Sequence, residues 1–411
     1  MFRVVAAVLL TLAAHGAVAA PGGFVRVDGR RFVNPDGSEF AIKGVSLGNW
    51  LLPEGYMFKF TKALSPREID AVFQRVLGPQ GAAQFWQRFR DNYITEADIA
   101  FIRAAGFNTV RVPLHYGLFM RDGDPPVFEG PGWPLIDRLI GWCRAHGLHV
   151  ILDMHAAPGG QTGVNHDDGS GFPLVFYVPR YRRETIELWR RIAARYRDET
   201  AVLGYDLLNE PISPYNDEDL LNPRLEPLYR DILAAIRQVD PNHVAFLEAA
   251  QWATNISVFG PPFAANVAYS YHKFWAHPGR DSVQDYLDYA ARYDVPIVLG
   301  ESGEMTDGWN AAFRSLNERF GIGWCFWPYK EPDSTSVSVS IPLPAGWDEI
   351  AAVGSAASLD RAPAVPGAKA ITDAFLVNLR FAHDRVNRSY LASLGLGTPH
   401  VAAREENVGR D

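Results

Sequence analysis

From about Phe40 onward, short runs rich in β-branched and aromatic residues alternate with longer segments whose apolar positions recur at helical spacing. Eight short runs stand out: Ala41–Ser46, Phe107–Val112, Leu148–Asp153, Val202–Leu208, His243–Glu248, Asn266–Tyr271, Val295–Gly300 and Gly321–Phe326. Between them the pattern predicts helices over Thr95–Ala105, Leu135–His146, Arg183–Tyr196, Pro227–Val239, Val283–Tyr293 and Asn310–Phe320, with a last one near Ala368–Ala392. Thr95 stands three residues before Asp98 as a capping box, and Gly106 and Gly147 follow their helices as stop signals. Strand and helix alternating in this way mark parallel βα units.

Eight such units predict an α/β chain closed into a (β/α)8 TIM barrel, with its working face at the C-terminal ends of the strands. Ahead of the barrel, Gly23–Phe40 reads as a small hairpin that plugs the barrel bottom, turning near Arg30 and again at Asn34-Pro35-Asp36-Gly37. Leu51–Asn92 is an insertion after the first strand, helical in part from Ser65. Ala156–Pro179 is a long Gly/Asp-rich loop after the third strand, of the kind that shapes a cleft.

The ends of the chain read differently. Arg3, the apolar stretch Val4–Ala14 and the small triplet Ala17-Val18-Ala19 have the order of a signal peptide, with cleavage expected after Ala19. The expected organisation is a signal peptide over 1–19, one barrel domain over 20–396 and a flexible tail over 397–411. Export to a periplasm or the medium follows from that reading. No later stretch is apolar and long enough to span a membrane. The formal charge of −8, with no Lys/Arg cluster to offset it, argues against a nucleic-acid partner, and a monomer is expected. Cys143 and Cys325 lie far apart and outside any CxxC or Cys/His cluster. Both read as small buried hydrophobes, with a disulfide left open in an oxidising compartment.

Polar groups at strand ends are where chemistry belongs in such a barrel. The fourth run ends in Leu207-Leu208-Asn209-Glu210-Pro211, and the seventh in Val298-Leu299-Gly300-Glu301-Ser302. Two carboxylates therefore reach one mouth from opposite sides, as glycoside hydrolysis requires: one acid for the leaving oxygen and one carboxylate for the anomeric carbon.

With those two motifs the sequence resembles glycoside hydrolase family 5, within the retaining barrels whose acid/base and nucleophile follow strands four and seven. The likeness extends to Arg111 in Val110-Arg111-Val112-Pro113, His155 in Asp153-Met154-His155, His272 after strand six and Trp327 after strand eight. It implies that Glu210 is the acid/base and Glu301 the nucleophile, that Arg111 fixes Glu301, and that His155 and Asn209 hold the sugar. It further implies that His272 sits beside Glu210 or Glu301 and that Trp327 floors the central subsite. Electrostatics agree: Arg111 would keep Glu301 ionised, and burial of Glu210 without such a partner would leave it protonated at neutral pH. The bland alternatives are a structural cation for Arg111, satisfied core histidines for His155 and His272, and packing alone for Trp327. Where family members commonly carry a Tyr two residues after the strand-six His, this chain has Phe274, and Tyr271 should face the other way on a pleated strand.

Within the family the likeness is to exo-acting β-1,3-glucanases. It rests on Gly44-Val45-Ser46-Leu47-Gly48-Asn49-Trp50-Leu51-Leu52-Pro53-Glu54, whose final Glu grips a terminal glucose, and on the loop Ala157-Pro158-Gly159-Gly160-Gln161-Thr162-Gly163. The competing reading of Glu54 is a solvated loop charge. An endo-β-glucanase with an open groove is the alternative activity, and a non-catalytic carbohydrate-binding barrel is the alternative of another class. Gly48-Asn49-Trp50 stands where a metal-dependent barrel would carry His-x-His, so neither metal nor other cofactor is expected. Gly300-Glu301-Ser302-Gly303 has the wrong spacing for a serine hydrolase elbow. The expected partner is a β-linked oligo- or polysaccharide.

Overall fold

The computed structural model describes residues 23–399; the signal-peptide segment and the end of the tail, 400–411, lie outside the described residues. Strands β1 (Arg26–Asp28) and β2 (Arg31–Val33) form the antiparallel hairpin. Eight parallel strands follow: β3 (Lys43–Ser46), β4 (Thr109–His115), β5 (His149–Ala156), β6 (Val202–Asp206), β7 (Val244–Glu248), β8 (Val267–His272), β9 (Ile297–Glu301) and β10 (Gly323–Phe326). They close in the order β10-β3-β4-β5-β6-β7-β8-β9. Each of the eight predicted runs contributes one barrel strand.

The pleat divides each strand between two environments. Val110, Val112, Leu152, Tyr205, Leu247, Tyr269, Leu299 and Phe326 point outward into one large core shared with the helices. Ile151, Leu203, Val244, Phe246, Ala268, Val298 and Cys325 instead form a separate core with Val25, Phe32 and Phe40 of the N-terminal segment. The hairpin therefore seals one end of the barrel, with the Phe32 ring 5.9 Å from that of Phe246. Gly44 lines the same tight interior: a Cβ there would lie 2.3 Å from Cys325 Sγ. Cys143 and Cys325 are both buried and free.

The insertion is helical from Ser65 as expected, and the structure departs from the sequence expectations in two later places. Within the insertion, Ser65 and Glu68 form a capping box that starts a long helix, Pro66–Tyr93, kinked at Gly78, where φ is 72°. The helix expected from Pro227 begins earlier, at Glu218, because Asp217 caps it through Leu220 N–H; Pro223 and Pro227 are carried inside it. The expected helix Ala368–Ala392 breaks after Asn378 into a short turn, strand β13 and a second helix, Arg388–Ser393. Strand β13 (Arg385–Val386) joins β11 (Lys330–Pro332) and β12 (Val339–Ile341) in a small sheet. A buried cation explains that break. Lys330 Nζ lies 2.6 Å from Asp98 and 2.8 Å from Asp384 and donates to the carbonyls of Tyr93 and Leu379. A continuous helix would withdraw Asp384 from it, leaving a buried charge short of a partner, which costs several kcal/mol.

Among the described residues, no helix is long and apolar enough to cross a membrane. The hairpin seal yields a test that separates stability from function. Phe32→Ala is expected to lower the unfolding free energy by about 3 kcal/mol, the usual cost of emptying a buried aromatic site. The folded fraction should keep wild-type kcat, since the plugged end lies away from Glu210 and Glu301. Denaturant titration alongside active-site-normalised kinetics checks both; a fall in kcat with stability unchanged would overturn the assignment of this segment to the seal.

Candidate active site

Arg111, inward-facing on β4 and 1% exposed, organises the open end of the barrel. Its Nε bonds Asp206 Oδ2 at 2.9 Å, its Nη2 bonds Asn209 Oδ1 at 2.9 Å and Glu248 Oε1 at 2.8 Å, and its Nη1 bonds Glu301 Oε1. Asp153 lies 3.2 Å from Nη2. Burial acts against the guanidinium's charge, but Asp153, Glu301, Asp206 and Glu248 outweigh it and raise its pKa well above the ordinary value. Burial likewise drives the carboxyls of Asp153 and Asp206 well up despite the arginine.

This network also fixes the neutral groups at the mouth. Arg111 takes the Asn209 carbonyl, so the Asn209 amide faces His155, 3.3 Å from its Nε2. The other His155 nitrogen, Nδ1, is 2.7 Å from Asp153 Oδ2. Burial brings the His155 pKa down to about 3, which leaves the ring neutral. Trp327 stacks on that ring at 5.6 Å and 11°. Gly48 is what admits the indole, since a Cβ there would lie 2.6 Å from it.

Glu210 emerges from β6 in a left-handed turn, with φ 46°. Such a conformation persists only where its surroundings dictate it. Here the Glu210 N–H donates to Glu248 Oε2 at 2.6 Å, and the buried Gln161 amide donates to the carbonyls of Asn209 and His155. The Ile212 N–H donates back to the Gln161 carbonyl. The loop after β5 is thereby stitched to the turn that presents Glu210.

The protonation of Glu210 differs from the sequence expectation. The residue is not buried without a partner: His272 Nδ1 lies 2.9 Å from Oε1, and His166 Nε2 lies 3.5 Å from Oε2. Burial pushes the carboxyl up, but the hydrogen bond and the charge of His272 bring it below its ordinary value. The His272 ring, opposed by burial, is held well above its ordinary range by Glu248, Glu301 and Glu210. The proton available at this position therefore belongs to the Glu210–His272 pair. A carboxylate oxygen of Glu210 and one of Glu301 lie within 4.8 Å of each other, with His272 between them.

A cavity of about 510 Å3 opens over these groups. Its walls include Glu54, Tyr56, His166, Trp252, Phe274, Trp275 and Glu304 besides His155, Glu210, His272, Glu301 and Trp327. Glu54, placed by its backbone N–H on Asn49 Oδ1 at 3.0 Å, is 8% exposed rather than a solvated loop charge. Burial, then Glu304, Glu301 and Glu210, raise its pKa well above normal. The Tyr56 hydroxyl accepts from Trp327 Nε1 at 2.9 Å. The imidazoles of His272 and His155 stand nearest Glu301 on its other sides, at 3.7 and 3.9 Å. Tyr271 does face outward, where it bonds Asn317 and stacks on Tyr286.

All eight residues singled out in the sequence thus border one site. Sequence reading did not single out Asp153, Asp206, Glu248, His166 or Glu304. Glu248 had a signal, since it closes the fifth predicted run, and Asp153 shares a strand face with His155. His166 and Glu304 lie in loops without such periodicity. Three groupings, Asp153/His155/Glu301, Glu210/His272/Glu301 and Asp153/Asp206/Glu248, could offer ligand atoms to a metal ion. Arg111 already bonds or pairs with Asp153, Asp206, Glu248 and Glu301, placing a protein cation among the same oxygens.

Residues 71–332 match the family described as cellulase (glycosyl hydrolase family 5). The chain belongs to glycosyl hydrolase family 5. This family 5 chain is 34% identical over 254 residues to a β-xylosidase of Phanerodontia chrysosporium, covering 61% of its own length and 52% of that protein, so it spans about half of that relative. It is 29% identical over 303 residues to a probable glucan 1,3-β-glucosidase A of Emericella nidulans, covering 69% and 71% of the two chains. The rutinosidase from Aspergillus niger shares the fold, with a TM-score of 0.55 at 17% identity over 72% of this chain and 92% of that one.

The crowded carboxylates at the cavity wall predict how stability responds to pH. Burial, opposed by a Tyr56 hydrogen bond and reinforced by Glu331 and Glu301, brings the Glu304 pKa up to about 7 from 4.5. A raised folded-state pKa means the native state holds the proton more tightly. The resulting stability is complete below about pH 4.5 and is lost as pH rises through about 7. Glu304→Gln is therefore expected to flatten the decline of melting temperature across that window; an unchanged slope in calorimetric scans would contradict it.

Proposed function

We propose that the protein is an exported retaining β-glycosidase that removes single sugar units from the end of β-glucans or β-glucosides, in the manner of an exo-β-1,3-glucanase. The observation that carries this reading is the separation of the Glu210 and Glu301 carboxylates, within 4.8 Å, together with the buried Glu54 in the wall of the same cavity. Retaining enzymes hold the pair about 5–5.5 Å apart, too close for an inverting water between them.

In the proposed reaction Glu301, steered by Arg111, attacks the anomeric carbon while the Glu210–His272 pair gives its proton to the leaving oxygen. A glycosyl ester on Glu301 results. Water then attacks that carbon, Glu210 takes the water's proton, and the Glu301 ester bond breaks. The Asn209 amide is placed to donate to a hydroxyl of the sugar, and Trp327 offers a ring face to its C–H side. Glu54, its carboxyl held well above the ordinary range, is placed to hydrogen-bond hydroxyls of the terminal sugar, each such bond contributing roughly 0.5–1.5 kcal/mol. It also obstructs the cleft beyond that sugar, which favours an exo over an endo action. The names of the glucan 1,3-β-glucosidase and β-xylosidase relatives support a β-glycoside substrate. Export rests on the N-terminal segment, Arg3 to Ala19.

NMR of the first product should show retention of the β-anomer, and an inverted sugar would remove the mechanism. Glu301→Ala should abolish turnover of every substrate. Glu210→Ala should cut turnover of natural glycosides by several orders of magnitude yet spare the glycosylation of dinitrophenyl glycosides, whose leaving groups need no acid. Glu54→Ala should lower kcat/KM on glucosides about tenfold or more. Digestion of laminarin to long oligosaccharides instead of glucose would replace the exo reading with an open-groove endo-glucanase.

A further inference from the structure

Each oxygen of the Glu210 carboxyl faces a different imidazole. His272 comes from the barrel wall and is 2.9 Å from Oε1. His166 comes from the loop after β5, in the turn Asn165–Asp167, and its Nε2 is 3.5 Å from Oε2. That nitrogen is buried and has no hydrogen-bond partner. An unpaired buried polar atom carries a desolvation cost, and this one is adjacent to the Glu210 carboxyl.

The turn carrying His166 is braced on every side. The Asp167 carboxylate accepts from the N–H groups of Thr162 and Gly163. Asp168 is held by Arg67 at 2.8 Å and faces His115 at 3.4 Å. Trp252 packs edge-on against the His166 ring at 6.2 Å. That tryptophan sits in a run of three left-handed residues, Gln251, Trp252 and Ala253. The Gln251 side chain pins the run through Asn222 and Asn255. Glu210 is the ionisable group that faces His166 from the barrel. Around Glu210 stand His272, Glu301, Glu54, Asp153 and His155.

We propose that His166 is a positioning residue for the acid/base: its Nε2–H closes on Glu210 Oε2 when a sugar fills the cavity and stabilises the ionised carboxylate during the second half-reaction. Contacts of this kind are commonly long in a free enzyme and tighten in the complex. In that half-reaction the water oxygen bonds to the anomeric carbon, the ester bond to Glu301 breaks, and Glu210 receives the water's proton through a lone pair left free by the imidazoles. The inference rests on Glu210 being the acid/base.

The test uses 2,4-dinitrophenyl β-glucoside, whose good leaving group makes deglycosylation limiting, so that the acid limb of the kcat–pH profile reports ionisation of Glu210. His166→Ala should move that limb upward by roughly one pH unit. His166→Gln, whose amide nitrogen reaches about as far as Nε2, should return part of the shift. Should the alanine variant fail to fold, His166→Asn, too short to reach Glu210, takes its place. A wild-type limb in the Ala or Asn variant, with only KM altered, would overturn the proposal and leave His166 a substrate contact. Glu210→Ala with azide runs in parallel. Formation of a β-glycosyl azide supports the acid/base assignment independently, so a flat His166 profile beside it removes this inference alone, whereas no azide product removes both.

Discussion

The Arg111 guanidinium lies inside the barrel, donating to Asp206, Asn209, Glu248 and Glu301 with Asp153 3.2 Å from Nη2, and the geometry of the mouth follows from how those donors are shared. One edge aims Glu301. Another takes the Asn209 carbonyl and so turns the amide toward His155. Glu248, held by the same cation, accepts the Glu210 N–H and thereby stabilises a backbone conformation that glutamate adopts reluctantly. Removing the charge would leave several buried carboxylates uncompensated, a loss of about 3–5 kcal/mol for even one such pair. The arginine is thus a structural and a functional requirement at once.

The second constraint is the shortage of positive charge. Arg111 and His272 face Asp153, Asp206, Glu248, Glu301 and Glu210 in surroundings largely closed to water. Burial answers part of the imbalance by pushing the carboxyls of Asp153 and Asp206 well above their ordinary range. The rest falls on His272, which bridges Glu210 and Glu248 and lies within reach of Glu301. A carboxyl made acidic by isolation in an apolar pocket is a different arrangement. Here the imidazole of His272 stands between Glu210 and Glu301, so a change of charge on either carboxylate is felt directly by the other.

The barrel was legible because its eight strands leave a periodic trace: runs of outward apolar residues between amphipathic helices. The strand-end carboxylates were legible for the same reason, since parallel strands deliver their last residues to one face, whereas Arg111, His155, His272 and Trp327 were legible through the likeness to family 5. What the sequence hid are contacts with no period. No spacing marks Lys330 as buried, because Asp98 and Asp384, distant on either side of it, meet it only inside the fold. The helix expected through Asp384 fails on that account. Glu210 read as isolated because His166 approaches from a loop, and loop geometry is set by tertiary contacts such as the Gln161 stitch and the Arg67–Asp168 pair.

That stitch has a bearing on how this protein can diversify. Glu301 is anchored by residues of the barrel interior, which drift slowly because they are mutually packed. The turn that presents Glu210 is bonded instead to Gln161, buried in the loop after β5 that also brings His166 to the cavity wall. Under the proposed roles, insertions or replacements in 156–179 would alter the shape of the cavity and the hold on the proton donor in one and the same step. A change of fit and a change of working acidity would not be separable there, whereas the part of the site around Glu301 could stay unchanged through both.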